Sequence, residues 1–61
     1  MTSAGEVDQP NMQIAKDHLE KALANLERAT ADKGGYRVNA MQLVRDAIAE
    51  VQRGIEYDRN N

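Results

Sequence analysis

The residues able to do chemistry are few, and their spacing offers little for them to do together. His18 is the only histidine in the chain. A transition-metal site on a helix wants a second ligand three or four residues away, where one face of the helix recurs. Those positions hold Ile14, Ala15, Lys21 and Ala22, none of which ligates well. His18 therefore reads as a residue on a helix flank, and it is the one candidate metal ligand. Asp46 and Glu50 form an acidic pair at i, i+4, which at best holds a hard cation loosely. With Arg45 and Arg53 nearby, the pair reads as a solvated face. The Glu-x-x-His signature of di-metal helical bundles is absent.

Nucleophilic and phosphate chemistry fare no better. Ser3 and Thr30 have no base near them in sequence, and the chain has no cysteine for a thiolate, a metal site or a disulfide. Gly34-Gly35 lacks the Gly-x-x-x-x-Gly-Lys-Ser/Thr context of a phosphate loop. The expectation is a protein that is not an enzyme and carries no resident cofactor. For nucleic acid, Gln42, Arg45, Gln52 and Arg53 make a polar stripe, but Asp46, Glu50 and Glu56 interleave with it. Phosphate binding needs an electropositive face, and a formal net charge of −2 argues against one.

What remains is architecture. Ala15, Ala22 and Ala29 recur every seven residues before Gly34-Gly35, and Ala40, Ala47 and Gly54 do so after it. Larger apolar residues accompany each ladder. Met12, Leu19 and Leu26 do so on the first side; Met41, Val44, Ile48, Val51 and Ile55 on the second. Steps of three and four residues are a helical seam and cannot be a strand pattern. Two such seams joined by a short glycine turn predict an all-α antiparallel helical hairpin. The first helix is expected over about 9–33, with Asp8 as N-cap, Pro10 in the first turn and Lys33 near the C-terminus. Gly34 is expected to take the left-handed conformation that ends it. The second helix is expected over about 36–57. The hairpin as a domain then spans 9–58, between a disordered leader at 1–8 and a frayed tail at 59–61.

Pairing about a turn centred at Gly34-Gly35 sets Ala22 level with Ala47, Ala29 with Ala40 and Ala15 with Gly54. Gly54 costs roughly 1 kcal/mol relative to alanine in a helix interior, and close approach of the partner backbone would account for it. The apolar arc is wider than two helices can mutually cover, with Leu23 and Leu43 beside the seams. Sixty-one residues is also a size at which one core is marginal. Both points lead to a homodimer closing into a four-helix bundle, with Leu23 and Leu43 at the interface between hairpins. No apolar run is long enough to span a membrane, and residues 1–10 have neither the basic nor the apolar region of a signal peptide. A cytoplasmic location is the default expectation.

Two resemblances follow. In size and in layered small and large core residues, the chain resembles the plasmid RNA-binding hairpins of the repressor-of-primer (Rop) family, with no shared sequence motif. A closer likeness lies in His18-Leu19-Glu20-Lys21-Ala22-Leu23, Lys33-Gly34-Gly35-Tyr36-Arg37-Val38 and Asp46-Ala47-Ile48-Ala49-Glu50-Val51 through Gly54-Ile55. These stretches resemble a family of short bacterial helical hairpins that includes histidine-rich small metal-binding proteins, four-helix bundles of the periplasm. The resemblance covers about residues 12–57 and implies a helical hairpin taking up copper or another divalent metal through His18. Tyr36 stands where members of that family often carry histidine after the Gly-Gly pair. The residues themselves favour a self-associating structural or interaction module, its protein partner other than itself unspecified. A divergent metal-binding hairpin is the alternative and a Rop-like RNA-binding hairpin the third reading.

Overall fold

Two long amphipathic helices account for nearly all of the backbone. The computed structural model describes residues 4–31 and 34–60, with side chains from Pro10 onward. Helix α1 spans Ala4–Arg28 and α2 spans Tyr36–Asn60; among the described residues there is no strand. The helices pack against each other as a hairpin, giving a rod of 51 × 14 × 13 Å. The radius of gyration is 14.5 Å, against about 10.5 Å for a compact domain of this length.

The helix ends differ from the sequence expectation. The first helix begins at Ala4, so residues 4–8, expected in a leader, are helical backbone. Pro10 consequently lies inside α1 and not in its first turn, where it lacks the N–H that would bond the Glu6 carbonyl. At its other end α1 stops at Arg28, five residues before the expected limit. The reason is a contact from the other helix. The Ala29 N–H is shared between the carbonyls of Asn25 at 3.0 Å and Leu26 at 3.3 Å, a three-centre bond typical of a helix terminus. Arg37 Nη1, carried by α2, donates to the same Leu26 carbonyl at 3.0 Å. A guanidinium there adds a second donor to a weakly bonded terminal carbonyl and complements the negative end of the helix dipole. Lys33, expected in that role, lies outside the described residues.

The two glycines of the connection have separate tasks. Gly35, and not Gly34, holds the positive φ, at +75°. Its carbonyl accepts the Asn39 N–H at 3.0 Å, so Gly35 caps the start of α2 and does not end α1. A Cβ on Gly34 would collide with the Tyr36 ring, which lies over it. At the far end α2 runs to Asn60, so positions 59 and 60 of the expected tail are helical, and Asn61 is outside the described residues.

Candidate interaction surface

The register of the hairpin decides which side chains share a face. The residue midway between Arg28 and Tyr36 is 32, and the cross-helix contacts agree with pairing about that point. Leu26 and Arg37 lie six residues before it and five after. A Cβ on Gly54 would approach the Met12 methyl at 2.7 Å, and these residues lie twenty before and twenty-two after. Pairing about the Gly-Gly dipeptide would separate both pairs by several residues in level. At Gly54 the contact falls on Met12, three residues from Ala15, the residue expected level with it.

The seams nevertheless face each other. Met12, Ala15, Leu19, Leu23 and Leu26 of α1 are half-buried, as are Met41, Val44, Ile48 and Val51 of α2. Ile55, at 1% exposure, is the one fully buried side chain among those described. One residue along a helix is a turn of about 100°. Residues immediately before the seam positions therefore lie a quarter-turn to one side, and residues immediately after lie to the other. Because the helices run in opposite directions, the "before" residues of both fall on the same broad face of the hairpin.

These two faces are unlike. On the "before" face, α1 contributes Asn11, Ile14, His18, Ala22 and Asn25, and α2 contributes Ala40, Leu43, Ala47, Glu50 and Gly54. Glu50 is its one formally charged residue among these, and Arg53 Nη1 donates to that carboxylate at 2.8 Å. On the "after" face, α1 contributes Gln13, Lys16, Glu20, Ala24 and Glu27, and α2 contributes Gln42, Arg45, Ala49, Gln52 and Glu56. That face is laced by its own polar contacts. Lys16 pairs with Glu20 at 3.7 Å, Gln42 donates to Asp46 at 2.9 Å and Gln52 to Glu56 at 3.1 Å. Exposed i, i+4 pairs of this kind are worth only a few tenths of a kcal/mol each, about 0.3–0.5, but they keep the face wetted. Of the five large apolar residues left exposed, Ile14 and Leu43 stand on the "before" face. Tyr36 and Tyr57 extend its α2 stripe at both ends, and Val38 alone lies on the other side.

No protein-family model, curated protein or solved structure matches the chain. Its site must be read from its own side chains.

Each residue singled out from the sequence has a place here. His18 is exposed on the "before" face, and among the described residues no three His, Asp or Glu side chains gather where they could hold a metal ion. Ala15, Ala22, Ala40, Ala47 and Gly54 are half-buried, whereas Ala29, just past the end of α1, is exposed. Leu43 is 68% exposed and Leu23 is half-buried. Arg37, which pins α1 to α2, and Tyr36, which covers Gly34, are working residues to which the heptad pattern assigns no role. Their signal was the Gly-Gly-Tyr-Arg order itself, a cation and a ring placed directly after the turn. No helix among the described residues is long and apolar enough to cross a membrane.

Proposed function

We propose that the chain is a self-associating helical hairpin, a structural or interaction module in which two copies close a four-helix bundle. The observation that carries this reading is the wetness of the single hairpin. Its accessible surface is 4690 Å², whereas a compact folded monomer of 6.8 kDa is expected to expose about 3,950 Å². The excess, roughly 700 Å², is close to what one partner contributes to a standard protein interface, about 800 Å². A rod only 14 × 13 Å in cross-section has no interior of its own beyond one seam, and a second hairpin laid along it supplies one. The low net charge, −2 per chain, sets little repulsion between copies.

Mass and melting test this together. Light scattering should give twice the 6.8 kDa of one chain, and the melting temperature should rise with protein concentration, as linked association requires. A single-chain mass with a concentration-independent melt would refute the reading.

A further inference from the structure

We propose that the "before" face is the surface on which the second copy docks, with the two α2 helices antiparallel and a two-fold axis crossing at Ala47; this rests on the self-association reading above. The α2 stripe on that face is nearly palindromic about Ala47. Ala40 and Gly54 lie seven residues to either side, Leu43 and Glu50 four and three, Tyr36 and Tyr57 eleven and ten. A two-fold interface is self-complementary, residue i meeting j and j meeting i. Antiparallel pairing about Ala47 therefore sets Ala40 at the level of Gly54, over which the Met12 methyl of the same hairpin closes, and ring beside ring at the ends. Leu43 meets the aliphatic stem of Glu50 from the other copy, while the Glu50 carboxylate keeps its Arg53 partner at 2.8 Å on the outer edge.

The remaining observations select this face and this occupant. Four of the five exposed large apolar residues lie along it. Small side chains down its middle let a second helix approach to the short end of the usual 8–10 Å interaxial range. The opposite face carries Lys16, Glu20, Glu27, Arg45 and Glu56, and covering it would desolvate five charges. A partner of strong charge would find only Glu50, already paired with Arg53, on the docking face. A second copy brings the same neutral, alternating surface and the area that the isolated hairpin leaves open.

The absence of cysteine makes the test clean. In Ala47→Cys the two thiols sit at the axis, where Cα atoms of closely packed helices fall within the roughly 4.4–6.8 Å that a disulfide spans. Mild oxidation should convert this variant to a covalent dimer, while Val38→Cys, on the opposite face, stays uncrosslinked. Leu43→Glu provides a second variant that leaves the seam intact, because Leu43 is already exposed in one hairpin. It should keep its helical circular dichroism and raise the dimer dissociation constant at least about tenfold. A dimeric mass with cross-linking at Val38→Cys and none at Ala47→Cys would overturn the face and leave self-association standing. A monomeric mass for the unaltered chain would overturn both.

Discussion

At its connected end the hairpin is held by polar groups and backbone geometry, and at its open end by apolar packing. Near the connection, Arg37 reaches across to the Leu26 carbonyl at 3.0 Å and lies 3.4 Å from the Met41 sulfur. Gly35 supplies the positive φ there, and the Tyr36 ring lies over Gly34. At the open end, some twenty residues away along each helix, Ile55 is fully buried and the Met12 methyl closes over Gly54. The connected end gains from a short loop, whose closure entropy is modest, so one directed bond is enough to set its angle. Helix ends far from a connection have no such tether. Only close packing keeps them together, which is why the best-buried side chain lies there and not beside the turn.

The largest way to break this contrast is at the open end. Ile55→Ala removes the one fully buried side chain and should cost about 2–5 kcal/mol in urea unfolding. A loss under 1 kcal/mol would mean that the open end is not held by packing. At the connected end, Arg37→Met keeps the stem and removes the donor. A hydrogen bond from a charged group contributes about 1.5–3 kcal/mol, but a cation in the first turn of α2 opposes that helix's dipole by about 0.3–1 kcal/mol. The net expectation is a loss of about 1–2 kcal/mol. Amide exchange should quicken mainly in the last turn of α1, and uniform quickening along both helices would contradict the local role.

Gly54→Ala is a finer probe of the open end. The new methyl meets only the tip of Met12, a side chain that adjusts easily. Helix propensity favours alanine by up to about 1 kcal/mol. Stability should therefore hold or rise slightly, and a marked loss would show a tighter approach than Met12 alone makes. The smallest effect is expected at exposed His18, on neither end. His18→Ala should change the stability of the single hairpin by less than about 0.5 kcal/mol and leave any weak copper uptake in calorimetry unaltered. Sub-micromolar copper binding that disappears with His18 would favour the metal-binding reading instead.

The same contrast explains which features are legible in sequence. The seams of Met12, Leu19 and Leu26 and of Met41 to Ile55 announce two helices because each repeats with its own helix's period, a local property. The end of α1 is not local. It is set by an arginine eleven residues beyond Leu26, so a count toward Gly34 overruns it. That overrun also moves the centre of pairing, and an error of a few residues there is enough to bring Met12 to Gly54 where Ala15 was expected. Leu43 was legible as surplus to the seam. Leu23 looked equivalent in the sequence, but it precedes no seam residue and sits within the seam itself.

Gly35 carries a lesson about handedness. Its φ of +75° is one that an L-residue adopts only with strain, although nothing lies within 4 Å of where an L-residue's Cβ would be. A mirror-image side chain fits that backbone as an ordinary one fits the opposite sign of φ. A synthetic chain with D-alanine at this position should be more stable by about 0.4–1 kcal/mol, since the methyl narrows only the unfolded ensemble. L-alanine there should be less stable by about 1–2 kcal/mol. The two molecules would share every bond, differing in one stereocentre, and their melting temperatures should move in opposite directions.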